Sequence, residues 1–275
     1  LALYAACVAW TIGYDTIYAQ QDVEDDALVG VKSTARLFGD LAKRWVGGFY
    51  LATVLLAAAA CLMRDQPLAS LIVGLSGVLA FGLHLAGQVL QIPVNGLAKD
   101  PLALFKSNKT AGLILMAALQ PTSVIIVGCD HYILFGTHCL PRYVIGTGEV
   151  DGPIDRLPGL ERGAVRNHQA LAAHIVEHGD GQGVDWTVAR SFTVDHSFSI
   201  PHQLVVKPAE ALLGRELPSI PVYLACGVDP YISLQRSADL GRQLRAAVEA
   251  FDADERVVII GSGGISHWVG TAEMG

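Results

Sequence analysis

Two sets of residues in this 275-residue chain have the types and spacing to do chemistry. The first is an acidic run, Asp22-Val23-Glu24-Asp25-Asp26, preceded by Asp15 and Tyr18 and followed by Gly30 and Lys32. Carboxylates this close repel one another and favour a bound cation. Hard oxygen donors suit Mg²⁺, which binds through one or two carboxylates together with substrate phosphates. If one helix carries them, Asp15, Tyr18, Asp22 and Asp26 fall at i, i+3, i+7 and i+11 along a single face. Lys32, just past a flexible glycine, is then placed to meet a pyrophosphate. A solvated helix face is the plain alternative. The second set is three histidines, each just after a short β-branched run: His131 in Cys129-Asp130-His131, His196 in Val194-Asp195-His196, and His267 in Gly263-Gly264-Ile265-Ser266-His267. Imidazole ligates Fe and Zn and exchanges protons near neutral pH. One such histidine is more often structural, but three in equivalent settings point to a shared site, because strand ends on one side of an α/β sheet are where sites gather. His84, His138, His168, His174, His178 and His202 read as surface, core or pocket residues.

The elements that must carry these residues differ between the two parts of the chain. Residues 45–63 and 68–92 are apolar runs joined by Arg64-Asp65-Gln66-Pro67. Each is near the ~20 residues needed to cross a bilayer, so together they predict a transmembrane hairpin. Residues 1–19 read as the end of another span, and a further one is expected to begin near Thr110-Ala111-Gly112-Leu113. Lys32, Arg36, Lys43 and Arg44 precede the hairpin, and Lys99, Lys106 and Lys109 come after it. Both basic loops therefore share one side, which the positive-inside rule makes the cytoplasm.

After residue 121 the pattern changes to short strand candidates at 123–127, 143–145, 191–194, 221–225 and 256–260, with helical periodicity over 162–178 and 234–251. Strands alternating with helices predict an α/β sheet. Gly261-Ser262-Gly263-Gly264 lacks the Lys-Ser/Thr of a phosphate loop, and reads as a tight turn exposing Ser266 and His267.

Composition narrows the function classes. Residues 1–121 hold 8 basic and 8 acidic side chains and residues 122–275 hold 11 and 18, so the second part carries the whole net charge of −7. Neither has the basic excess of a nucleic-acid binder. The mean hydropathy of +0.41 is high for a soluble protein. Five cysteines with no C-x-x-C spacing predict buried thiols in a reducing compartment. No charged stretch precedes the apolar start, so no signal peptide is expected, and both ends read as cut.

The segment Tyr14-Asp15-Thr16-Ile17-Tyr18-Ala19-Gln20-Gln21-Asp22-Val23-Glu24-Asp25-Asp26, with Gly30-Val31-Lys32-Ser33-Thr34-Ala35, resembles the second aspartate-rich motif of the UbiA superfamily. The 4-hydroxybenzoate polyprenyltransferases are its nearest likeness. Phe105-Lys106-Ser107-Asn108-Lys109-Thr110-Ala111-Gly112 resembles a later cytoplasmic loop of that family. The resemblance covers residues 1–120. It implies an inner-membrane enzyme of ubiquinone biosynthesis that joins a polyprenyl chain, delivered as its pyrophosphate, to an aromatic acid. Mg²⁺ on two aspartate-rich motifs would hold the pyrophosphate. Asp22 and Asp26 carry over as metal ligands, and Asp15 and Lys32 as pyrophosphate-binding residues. The first motif is expected upstream of Leu1.

Val124-Ile125-Ile126-Val127-Gly128-Cys129-Asp130-His131-Tyr132, Val194-Asp195-His196 and Gly261-Ser262-Gly263-Gly264-Ile265-Ser266-His267 resemble the class III extradiol ring-cleavage dioxygenases, of the protocatechuate 4,5-dioxygenase β-chain type. That likeness implies a cytoplasmic Fe(II) enzyme that opens a catechol with O₂, beside rather than between the hydroxyls. The family holds iron with two histidines and a glutamate. His131 carries over as an iron ligand, His267 as the catalytic acid–base, and His196 as a catalytic pocket residue contacting substrate or oxygen. The other two ligands are expected before and after this stretch, so tight iron binding by the chain alone is not expected. A second dioxygenase subunit or a homo-oligomer is the implied partner.

The expected fold is thus mixed. All-α transmembrane helices (1–120) are followed by a three-layer α/β domain (122–275), both incomplete, with domains at 1–121 and 122–275. Residues 119–128 are claimed twice, once to finish a span and once as a buried strand. The expectation is a truncated hybrid of two enzymes, by gene fusion or sequence assembly, with neither activity in the isolated chain.

Overall fold

The computed structural model describes residues 1–64, 66–129, 133–135, 138–225, 232–251 and 254–262. They form two compact units, one of residues 1–119 and one starting at Gln120.

The first unit is helical. Its elements are α1 (Ala2–Tyr18), α2 (Val23–Val29), α3 (Thr34–Phe38), α4 (Ala42–Leu62), α5 (Leu68–Gln91) and α6 (Pro101–Leu119). Helix α1 packs on α4 and α6, and α5 packs on both α4 and α6. The shared core includes Ile17, Val46, Tyr50, Phe81, Leu85 and Leu115. Outward-facing Leu51, Leu55, Leu79, Leu83 and Leu90 are more than half exposed. Leucines on the outer surface of a helix bundle suit a lipid solvent, which is as apolar as they are. Three stretches, Thr34–Leu62, Leu68–Gln91 and Pro101–Leu119, are long and apolar enough to cross a membrane.

Two expectations are corrected here. The acidic run does not continue α1. The chain leaves the α-helix at Tyr18, makes a 3₁₀ turn over Ala19–Gln21, and restarts as α2 with Asp22 at its N-cap. The cause is local. Gln20 is drawn into the core, where its Oε1 accepts the Ala98 N–H at 2.9 Å. The second correction concerns α6, which starts at Pro101 rather than near Thr110. Asp100 begins it by accepting the Ala103 N–H at 2.8 Å. Lys106 and Lys109 therefore lie on a helix, not in a loop. At 19 residues α6 needs nothing beyond Leu119, so residues 119–128 are not claimed twice.

The second unit is α/β. Strands β1 (Ser123–Cys129), β2 (Tyr143–Gly152), β3 (Gly163–Val165), β4 (Thr187–Thr193), β5 (Ser219–Leu224) and β6 (Val257–Gly261) form one sheet in the order β3-β2-β5-β1-β6, with β4 also paired to β2. Helices α7 (Gln169–Asp180) and α10 (Leu234–Phe251) cover one face. There Ile125, Ile145, Ile220 and Val222 meet Leu171, Ile175, Leu240 and Leu244. On the other face lie α8 (His196–Pro201), a π-helical turn (His202–Val206) and α9 (Lys207–Leu213). Tyr223 of β5 reaches Asp195 there, which completes three layers. The stretch 162–178 is not one helix. Its first part pairs with β2, Val165 opposite Val150, and the helix begins only after His168, whose Nδ1 accepts the Leu171 N–H.

The segment joining the units is tied into the sheet. The Gln120 carbonyl accepts from Arg215 Nη2 at 2.9 Å and from Arg256 Nε at 2.8 Å. Glu255, just before β6, gathers Thr122 Oγ1 (2.5 Å), Ser123 Oγ (3.1 Å) and His168 Nε2 (3.0 Å). Burial pushes the Glu255 carboxyl up, but the bonds from Thr122, His168 and Ser123 outweigh it and hold the carboxyl below its ordinary range. A depressed folded pKa means stability that is present above the unfolded value, about 4.3, and lost as pH falls through the folded one. The protection factors of amides in β1 and β6, taken relative to the intrinsic exchange rate at each pH, are therefore expected to fall below about pH 4.3 in the native chain. In Glu255→Gln that acid-dependent part should vanish, and an unchanged pH profile would refute the assignment.

Candidate functional site

The site begins with strand pairing. Strands β1, β5 and β6 are parallel, whereas β2 runs antiparallel to β5 and β4 runs parallel to β2. Strand β4 therefore runs opposite to β1 and β6, so strand direction alone does not bring His196 to the end of β1 where Gly128 lies. His196 comes to the sheet through α8, which lies across the face of β1. A Cβ built at Gly128 would stand 2.5 Å from Ser197 Oγ, so only glycine admits this crossing.

Asp195 is the anchor. It is fully buried, and its Oδ1 accepts from the Ser197 N–H (2.9 Å), Ser197 Oγ (2.7 Å) and the Tyr223 hydroxyl (2.8 Å). The Tyr223 oxygen in turn accepts the Asp195 N–H at 3.1 Å. Burial, and then the Asp195 charge, push the Tyr223 phenol far above its ordinary range, so it stays a donor. Asp195 also caps α8 through Ser197 N, which fixes the direction in which His196 leaves the backbone.

His196 does not stand alone. Its Nδ1 is hydrogen-bonded to Asp155 Oδ2, the two side chains being 28% and 15% exposed. Asp155 lies three residues past the end of β2. The continuing β2–β4 pairing brings it there: Val194 N–H donates to the Asp151 carbonyl, and Ile154 N–H to the Val194 carbonyl, both at 2.8 Å. Asp155 Oδ1 is buried without a hydrogen-bond partner among the described residues. Six residues beyond His196, His202 sits in the π-helical turn and stacks on Phe198 at 5.5 Å. Burial, helped by the Lys207 charge, pushes its imidazole down to about 4, so it is neutral at physiological pH.

His131 and His267 lie outside the described residues. Among the described residues no group of three His, Cys, Asp or Glu side chains comes together to hold a metal ion. Cys7, Cys61, Cys129 and Cys139 are thiols; Cys61 is buried, but Cys139 is exposed, contrary to the expectation of burial.

In the helical unit, Asp15 lies on α1, Asp22 at the α2 N-cap, Asp26 on α2, and Lys32 in the exposed link to α3. Arg36 of α3 donates to the carbonyls of Asp26 and Val31 and so closes that link. Sequence reading missed a buried polar chain behind this region. Tyr50 donates to Gln88 Oε1 at 2.6 Å, and Gln88 Nε2 donates to Ser107 Oγ at 2.7 Å. Its signal was available, since glutamine is an uncommon residue inside an apolar run like that of α5.

Residues 99–274 match the family model described as the catalytic LigB subunit of aromatic ring-opening dioxygenase. The chain belongs to this family. Residues 1–97 match the model of the UbiA prenyltransferase family. Among curated proteins, the mitochondrial 4-hydroxybenzoate polyprenyltransferase of Rattus norvegicus is 41% identical over 119 residues, covering 43% of this chain and 30% of the relative. The enzyme of that name from Aedes aegypti is 42% identical over 121 residues, 43% of this chain and 26% of the relative. The 4-hydroxybenzoate octaprenyltransferase of Shewanella pealeana is 38% identical over 119 residues, 43% and 39% respectively. The chain thus spans less than two fifths of the length of each. A LigB-family α/β unit and a UbiA-like helical unit stand in one polypeptide.

Proposed function

We propose that the α/β unit serves Fe(II)-dependent extradiol opening of a catecholic aromatic acid by O₂, with His196 contacting the substrate. What carries this reading is the anchoring of His196 at the head of α8, between a fully buried Asp195 and the Asp155 carboxylate, in a LigB-family unit. Iron, when bound, would bring catechol and O₂ together. The described donors do not make a ligand set for it, because no three His, Cys, Asp or Glu side chains come together among them. They suit a pocket wall that meets substrate hydroxyls instead. His131 as iron ligand and His267 as acid–base belong to the same proposal. A reducing cytoplasm fits a unit built on Fe(II) and thiols.

A second reading is supported by the match of residues 1–97 and by the acidic segment of α2. In it, Asp22 and Asp26 hold Mg²⁺ and, with Asp15 and Lys32, the pyrophosphate of a polyprenyl donor whose chain passes to 4-hydroxybenzoate at the membrane.

Both are tested on the full chain in nanodiscs. With Fe(II) and 3,4-dihydroxybenzoate, ring opening with matching O₂ uptake would support the first reading, and failure of both assays leaves a hybrid with neither activity. His196→Ala should lower kcat/KM about 10- to 100-fold, the worth of one lost polar contact of about 1–3 kcal/mol. O₂ uptake no greater than that of Fe(II) alone would overturn the dioxygenase reading. With Mg²⁺, polyprenyl pyrophosphate and 4-hydroxybenzoate, the absence of prenylated product would overturn the second.

A further inference from the structure

We infer that Asp155 is the positioning residue that fixes the tautomer of His196: it holds the proton on Nδ1 and so makes Nε2 the acceptor atom of the ring. The role rests on the reading of His196 as a substrate contact, but the geometry stands without it. An ionised carboxylate can only accept hydrogen bonds. Asp155 Oδ2 meets Nδ1 of His196, so in the neutral ring that nitrogen carries the hydrogen and Nε2 carries the lone pair. The pairing is built rather than incidental. Asp155 is 41 residues from His196 in sequence and is delivered by two backbone hydrogen bonds that extend the β2–β4 ladder past its last paired residues, Asp151 and Thr193. The His196 backbone is fixed independently, through the neighbouring Asp195 and its bonds to Ser197 and Tyr223. Two anchored backbones thus meet through one carboxylate–imidazole bond.

The direction of that bond has a functional consequence. A ring with the lone pair on Nε2 accepts a hydrogen bond from a hydroxyl-bearing ligand. The opposite tautomer would offer a donor there and disfavour the same hydroxyl. Asp155 thereby selects ligands that present a donor to His196, such as a protonated phenol. Oδ1 of Asp155, buried and without a hydrogen-bond partner among the described residues, gives the cluster a second acceptor of the same polarity.

The test reads the tautomer directly. The full chain in nanodiscs is labelled with ¹⁵N-histidine, and the His196 resonances are assigned by their loss in His196→Gln. Native protein should show protonated Nδ1 and unprotonated Nε2. Asp155→Ala should lose that signature, with the Nε2-protonated form becoming the major one. Asp155→Asn, whose carbonyl can still accept, should retain it. The other histidine signals, which a folded chain preserves, report that the variants are intact. An Nε2-protonated His196 in the native chain, or the same spectrum in Asp155→Ala, would overturn the inference. These spectra need no turnover, so failure of the ring-opening assay alone would sink the functional reading and leave the tautomer assignment standing.

Discussion

Asp195→Ala should weaken the α/β unit by about 3 kcal/mol, the sum of a lost helix cap of about 1 kcal/mol and a buried hydroxyl left unpaired at about 1–3 kcal/mol. The carboxylate is fully buried and takes three donors on one oxygen, so its removal strands the Tyr223 hydroxyl and Ser197 Oγ together. Amide exchange of β5 in the full chain is the measurement, with protection falling about 100-fold, since 1.4 kcal/mol is a factor of ten. Tyr223→Phe should cost less, about 1.5–3 kcal/mol, because it removes one donor from an ion that keeps others. The double variant should fall short of the sum by about 1 kcal/mol or more, as expected for groups in one network. Strict additivity would mean that the two side chains do not act together. Because His196 directly succeeds Asp195 in the chain, the same substitution should also disorder the imidazole and erase its tautomer signature.

How much of this was legible in the sequence differs between backbone and site. Helix α10 was read to the residue, since apolar Leu240, Leu244, Ala247, Val248 and Phe251 keep helical spacing against a polar face. The two apolar runs became α4 and α5 within three residues at each end, because length and the Pro67 break determine them. The cores of five strands were found and β3 was read as helix, while β2 runs seven residues past its expected end, through Gly146, Gly148 and Glu149, which carry no β signal of their own. Pairing with β4 holds them extended. Helices α8 and α9 were missed, as Pro201 and Pro208 interrupt the periodic pattern that would announce a helix. His196 was found through its Asp-His dipeptide. Asp155 was not, and no local spacing could have shown it, because a carboxylate 41 residues away meets His196 only once the β2–β4 register is known.

That register is where a single methyl group is expected to do most damage. On β2, Gly146 pairs with Ala189 and Glu149 with Ser191, so β2 takes three steps where β4 takes two. The extra residue is a bulge, which bends the strand and re-aims the residues beyond it. A Cβ at Gly148 would lie 2.0 Å from the Arg190 carbonyl oxygen and 2.9 Å from its carbon. Both are backbone atoms, so no rotamer change relieves the clash. Nor can β2 retreat, because Asn167 Nδ2 holds it from the other side through the Gly146 and Gly148 carbonyls, at 2.9 and 3.0 Å. Gly148→Ala must therefore separate β4 from β2, at a cost of about 3 kcal/mol or more, the upper end of overpacking penalties. Gly163→Ala is the matched control. It lies on β3, where an added Cβ meets nothing within 4 Å, and should change stability by no more than about 0.5 kcal/mol. The loss at Gly148 should also reach the site, since β2 delivers Asp155 and β4 delivers His196, and their bond depends on both strands keeping step. Exchange in β4 should rise sharply, and the Nδ1-protonated signature of His196 should disappear in Gly148→Ala but persist in Gly163→Ala. A Gly148→Ala chain with native exchange in β4 would show that the bulge is not what sets the distance between the carboxylate and the imidazole.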